Sequence, residues 1–291
     1  MTDSVLIDAR DVGFSTPVIL PQERSILTNP ANLLADFYFN KPSRHSHALL
    51  SNITFSLSSG QRIGIIGPNG AGKSTLLRVL GGIYEPTQGT LTMNCSPRGL
   101  FDISMGFVGE ATGLENIYLR GLEMGHTMPH IRSKIPEIIE FSELGDAIDK
   151  PFSTFSSGMR LRLAVALALI EQPDVMLLDE WIGAGDATFQ NKVAARMNAL
   201  VDGSRGLMLA SHNDALLKRV CTHGLVMQKG RVVFQGGINE ALSYYHQNVR
   251  PTHKTEKSDK ADVPAAAAKA PPAPSPPITP PTTPNAIPRQ A

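Results

Sequence analysis

The chain lacks any run of about 18 uninterrupted apolar residues, which excludes a helix that spans a bilayer by itself. It also lacks a basic excess. Lys and Arg number 27 against 26 for Asp and Glu, so the broad positive face of a nucleic-acid-gripping protein is missing. Charged residues make up only 18%, below the roughly 25% of an average soluble protein. Cysteine is scarce. Cys95 and Cys221 stand far apart without ligand-like spacing, and read as reduced thiols rather than a disulfide framework or a thiolate metal site. The opening MTDSVLIDARDVGF is interrupted by acids too early to form a secretory apolar region.

What is present is a large apolar fraction, 42% of 291 residues, enough for one large domain or two small ones. A boundary falls near residue 250. Residues 251–291 hold half of the 22 prolines, an AAAA run and almost no large apolar side chains. Such a segment cannot offset its ordering entropy by burial, and reads as a disordered, partly polyproline II tail. Residues 1–250 read as one folded unit. Leu6–Val12 and Ile53–Leu57 alternate as strands do. Residues 16–47 read as a long irregular insertion, with one short amphipathic helix carried by Ile26, Leu27, Leu33, Leu34 and Phe37. Arg62–Ile66 reads as a strand, and Lys73–Leu80 as the helix after it. Ile131, Ile135, Ile138 and Ile139 recur at helical spacing, with Pro136 either in the first turn or at a kink. Arg160–Glu171 reads as a helix. Val175–Leu178, Leu207–Ala210 and Gly224–Gln228 are short strands, the first a continuous apolar run of the kind buried in parallel sheets. The alternation indicates an α/β sheet core.

Gly67-Pro68-Asn69-Gly70-Ala71-Gly72-Lys73-Ser74 matches G-x-x-x-x-G-K-[ST] between a strand and a helix. Glycines let backbone N–H groups face a phosphate, and the helix N-terminus favours an anion. Lys73 reaches β and γ oxygens, Ser74 offers a hydroxyl to Mg²⁺, and Thr75 can bond the α-phosphate. The competing account, a structural glycine turn, does not explain the Lys-Ser ending. Val175–Leu178 then delivers Asp179 and Glu180. Asp179 suits Mg²⁺, and Glu180 suits orienting or deprotonating an attacking water. An acid after an apolar strand is a weak signal alone and a strong one beside a phosphate loop.

Phe155-Ser156-Ser157-Gly158-Met159 precedes the long apolar helix, where Ser156 would ordinarily be only an N-cap. Its position resembles that of the LSGGQ signature of ABC ATPases. Ala184-Gly185-Asp186 falls where their D-loop lies, and Ser211-His212 at their switch histidine. A narrower resemblance follows from the SSGM spelling, TGLENIYLRG at 112–121 and DEWIGAGD at 179–186. These segments are similar to the ATP-binding subunits of bacterial polysaccharide exporters, which move O-antigen, capsule or teichoic-acid chains. The resemblance covers about residues 5–245. It implies a RecA-like core sheet, an antiparallel β subdomain and a helical subdomain at about 100–160. It implies ATP and Mg²⁺ as ligands, and a head-to-tail dimer in which Ser156, Ser157, Gly158 and Met159 complete the partner copy's site. Lys73, Glu180 and His212 would act on the γ-phosphate. The resemblance further implies an integral membrane permease as partner, no nucleic acid, and a peripheral place at the cytoplasmic face of the inner membrane. An ATPase of a small-molecule importer and a soluble, non-transport ABC ATPase are the alternatives.

Two features depart from the general ABC pattern. No glutamine lies between Gln88 and Gln172, and Glu110 is the nearest stand-in for the Q-loop residue. Phe14 is the candidate for stacking on adenine, with a packing role as the equal alternative and Tyr38 as a further candidate. His126 and His130 have helical metal-ligand spacing, but no carboxylate cluster accompanies them in sequence, so they read as a solvated pair. Trp181, Tyr244 and Tyr245 read as packing residues.

Overall fold

The computed structural model describes residues 4–19, 44–101, 103, 106–180 and 186–249. The helix expected at 26–37, Tyr38, Trp181, Ala184-Gly185 and the tail at 251–291 lie outside the described residues.

Two sheets organise the chain. The first is antiparallel, in the order β2-β1-β4, built from β1 (Val5–Ile19), β2 (Arg44–Ser58) and β4 (Gln88–Met93). The second has the order β5-β6-β7-β3-β8-β9. Its members are β3 (Arg62–Ile66), β5 (Pro97–Leu100), β6 (Val175–Asp179), β7 (Gly206–Ala210), β8 (His223–Gln228) and β9 (Arg231–Gly237). All neighbours in it are parallel except β8 and β9. β7 is buried throughout, and β6 up to its terminal Asp179. That is why both read as unbroken apolar runs rather than alternating ones.

One correction concerns the segment 16–47. Its ends are not irregular: Thr16 pairs with His47 and Ile19 with Arg44, extending the β1–β2 hairpin. Pro17 and the polar His45-Ser46-His47 conceal strands whose backbone pairing, not side-chain pattern, defines them.

Helices pack on both faces of the large sheet: α1 (Lys73–Leu80), α5 (Ala187–Gly203), α6 (Asp214–Val220) and α7 (Ile238–Tyr244). Leu6, Ile53, Leu76 and Ile65 share one core with the antiparallel sheet. Phe189, Val193, Met197 and Leu209 share a second on the opposite face, where the ring of Tyr244 stacks on Phe234. A third core belongs to α2 (Gly113–Glu123), α3 (Met128–Ser142) and α4 (Ser157–Ala168). α2 starts on a Thr112–Glu115 capping box. Asn116, fully buried, accepts from the N–H of Val108 at 2.8 Å and donates to the carbonyls of Val108 and Thr112 at 3.0 and 2.9 Å. α3 begins at Met128, well before Pro136, which therefore sits inside the helix and forfeits one backbone bond. α4 starts at Ser157 and ends at Ala168, so Leu169–Glu171 run on beyond the helix that Arg160–Glu171 was expected to form.

Candidate functional site

β3, β7 and β6 lie side by side and run parallel. Their carboxyl ends therefore open on one edge, the usual place for ligand sites in open α/β sheets. Gly67 follows β3, Asp179 and Glu180 end β6, and Ser211 and His212 follow β7. A cleft of about 420 Å³ at that edge is lined by Asn69 through Thr75, Asp179, Glu180, Ser211 and His212, with Leu49 and Ala210. Residues separated by more than a hundred positions are thus brought together by strand order alone.

The loop before α1 is shaped by glycine. A Cβ on Gly67 would stand 2.4 Å from the Met227 carbonyl oxygen, so no other residue fits. Gly72 caps α1 at φ 101°, a left-handed conformation, with no side-chain hydrogen bond to the helix. The first N–H groups of α1 are therefore not taken by a capping side chain and suit an anion. Ala71 braces the loop, its N–H donating to Pro68 O at 3.2 Å and its carbonyl accepting from Gly230 at 2.9 Å. Lys73 is buried, and its ammonium donates to the carbonyls of Gly67 and Pro68 at 2.8 and 3.1 Å. Burial lowers its pKa, while the charges of Asp179 and Glu180 work in the opposite direction.

Glu180 is the unusual residue. It sits at φ 88°, a conformation that costs a non-glycine residue free energy. Its N–H donates to Ala210 O at 2.9 Å. Its carboxylate accepts a short hydrogen bond from the Ser211 hydroxyl. Ser211 is buried, and its oxygen in turn accepts the N–H of Asn213 at 3.2 Å. With that lone pair occupied, the hydroxyl proton is aimed at Glu180. Ser211 appeared in sequence only as the neighbour of His212; its hold on Glu180 is a new role. His212 itself is exposed at the rim.

Other expected residues lie apart from this cleft. Ser156, Ser157 and Gly158 are exposed, and Met159 is half-buried, at the start of α4. Ser156 also performs the ordinary capping role, accepting from Met159 N–H at 3.2 Å. Asp186 caps α5 through the N–H groups of Thr188 and Phe189 and pairs with Arg162 at 2.5 Å. The Phe189 N–H and the Arg162 charge hold its carboxyl below the usual range. Arg162 also binds Glu143 and lies over the Phe189 ring. Phe14, half-buried, stacks one face on Tyr84 with centroids 4.9 Å apart. Glu110 is exposed and does not line the cleft.

The family model described as ABC transporter matches residues 50–183. The O-antigen export system ATP-binding protein RfbE of Yersinia enterocolitica is 43% identical over 186 residues, which cover 62% of this chain and 78% of that protein. The chain belongs to the ABC transporter ATP-binding proteins. The teichoic acids export ATP-binding protein TagH of Bacillus anthracis is 36% identical over 222 residues, 76% of this chain. The match spans only 40% of TagH's own length. The fold also matches the solved ATP-binding subunit of an ABC transporter, with TM-score 0.59 and 19% identity over 83% of this chain and 93% of that one. A dimeric cassette solved in a post-hydrolysis state with ADP and Pi matches with TM-score 0.57 and 17% identity over 80% of this chain and 99% of that one.

Proposed function

We propose that the chain is the ATP-hydrolysing subunit of a transporter that exports a lipid-linked polysaccharide. It works as a head-to-tail pair under an integral membrane permease, peripheral to the cytoplasmic face of the inner membrane. The observation that carries ATP hydrolysis is the convergence of Lys73, Asp179, Glu180 and His212 on one cleft. The O-antigen and teichoic-acid names of the relatives support the substrate class. Among the described residues no helix is long and apolar enough to cross a membrane, which fits a separate membrane subunit. Residues 1–250 are the ABC domain, with the helical portion at about 100–160, and residues 251–291 are a Pro/Ala-rich extension.

The chemistry follows from the residues. The triphosphate lies along Gly67–Thr75, on the N–H groups at the start of α1. Lys73 exchanges two carbonyl partners for anionic β and γ oxygens. The Ser74 hydroxyl and the Asp179 carboxylate are hard oxygen donors that fit Mg²⁺ and would hold it. When bound, that ion neutralises charge on the phosphates. Glu180, aimed by Ser211, accepts a proton from water as the water oxygen bonds to the γ-phosphorus. The bond to the β–γ bridging oxygen breaks, and ADP and phosphate leave. Ser156, Ser157 and Gly158 lie outside their own chain's cleft, so they are available to close over the γ-phosphate of a second copy. Loss of that bridge opens the pair.

Lys73→Ala tests the site. It should abolish most nucleotide binding in a direct titration, and unchanged affinity would remove Lys73 from the role. Co-purification with an integral membrane protein tests the transport reading; a chain that never associates with one refutes it.

A further inference from the structure

The fold supplies the acid that His126 and His130 lack in sequence. Beyond α4, Leu169 and Ile170 are buried, and this anchors the chain so that Glu171 reaches the first turn of α3. The Glu171 carboxylate lies 2.6 Å from Nε2 of His130. The His126 and His130 rings are 4.9 Å apart, tilted by 34°. One potential ligand atom from each of the three residues falls within 4.8 Å of the others. All three residues are half-buried.

We propose that His126, His130 and Glu171 form a site for a divalent transition metal, with Zn²⁺ the best match. Two imidazole nitrogens and one carboxylate oxygen are a recurrent zinc donor set, with a fourth position left for water. Bonds of about 2.0–2.2 Å place tetrahedral donors roughly 3.3 Å apart. Binding therefore draws the three donors together from a spread of up to 4.8 Å. The metal takes the place of the proton that His130 shares with Glu171, and that proton moves to Nδ1 or to solvent.

Arg98 is the counter-argument, and it makes the proposal sharper. Its Nη2 stands 3.2 Å from Nε2 of His126. A guanidinium only donates, so Nε2 of His126 already carries the lone pair that a metal needs. The Arg98 charge nevertheless opposes a cation there. Among the described residues its Nη1 is buried without a hydrogen-bond partner, so a swing away from His126 gives up only the Nη2 contact and the pull of Glu171. Bound metal would then tie the residues after α4 to the start of α3.

The test uses the full chain stripped by chelator, titrated with Zn²⁺ in excess Mg²⁺, which competes for the oxygen donors of the phosphate-loop cleft. Calorimetry should give one Zn²⁺ per chain at micromolar affinity, and melting temperature should rise with added Zn²⁺. Glu171→Gln and His130→Ala should each weaken binding about tenfold or more. Arg98→Gln, which removes the competing charge, should tighten it several-fold. Absence of binding by the folded wild type overturns the proposal, as does unchanged affinity in a His126→Ala/His130→Ala double variant. If the variants fail to fold, Co²⁺ bound to the wild type decides. A nitrogen–oxygen tetrahedral spectrum supports the site, whereas a sulfur charge-transfer band points to Cys95 or Cys221 and refutes it.

Discussion

Replacing Ser211 with alanine isolates one hydrogen bond at the candidate base. The hydroxyl donates to the Glu180 carboxylate and accepts from Asn213. A hydrogen bond to a charged group is worth about 1.5–3 kcal/mol. Fully expressed in the transition state, that is a factor of about 10–150 in rate at 1.36 kcal/mol per tenfold. Glu180 is exposed, so water replaces part of the lost donor. The expected fall in kcat is therefore about 10–30-fold. The KM for ATP should stay unchanged, because no hydrogen bond joins Ser211 to Gly67–Thr75 among the described residues. The Asn213 N–H loses its acceptor, which costs about 1–2 kcal/mol and a few degrees of melting temperature. Steady-state phosphate release on wild type, Ser211→Ala and Ser211→Thr separates positioning from simple destabilisation. Threonine restores the hydroxyl and should restore most of kcat. In a Glu180→Gln background Ser211→Ala should add no further loss, since the two act as a unit. An equal loss in that background, or a KM change without a kcat change, refutes the reasoning.

Three further outcomes are expected. Glu180→Gln should cut turnover by about 10²–10⁴ while keeping nucleotide affinity, and light scattering with Mg-ATP should find it as a dimer; wild-type turnover would remove Glu180 from the role. Deleting residues 251–291 should leave phosphate release intact and shift melting by less than about 2 °C, and a larger drop would mean that the tail contributes to the fold. Burial pushes the Cys221 thiol up to about 12 from an ordinary 9.0, so in the folded protein at neutral pH it should resist alkylation and react only after denaturation. Because the folded value is the higher one, its contribution to stability is complete below 9.0 and fades as pH rises towards 12.

Much of the site was readable because its chemistry is written locally. The glycine loop, the Arg62–Ile66 strand and the Lys73–Leu80 helix carry their own signals and fall at the expected residues. β6 and β7 were visible as unbroken apolar runs. β4 and β5 were not, since QGTLTM and PRGL are short and partly exposed, and only their partners make them strands. α5 was missed although Phe189, Val193, Met197 and Leu200 repeat every three or four residues on its buried face. Long-range contacts were the least legible. Nothing near Glu171 announces His130, 41 positions away, and nothing near Glu180 announces Ser211, 31 positions away.

The strand order also dictates when the site can come into being. β3 carries the phosphate loop, yet both of its sheet neighbours, β7 and β8, are made about 140 residues or more after it. At about 5–20 residues per second the ribosome needs roughly 7–28 s to supply them. Throughout that interval β3 has neither hydrogen-bonding edge satisfied, and Ile63, Ile65 and Ile66 have no sheet to enter. The antiparallel β1–β2 hairpin can close early, because its partners are adjacent in the chain. A chain that has made β1, β2 and β3 but not β7 can therefore close the hairpin while β3 still lacks its partners. Only when Gly206–Ala210 slots between β3 and β6 do Lys73, Glu180 and Ser211 meet, and the phosphate loop gains its Met227 and Gly230 neighbours later still, so nucleotide binding reports an assembled sheet.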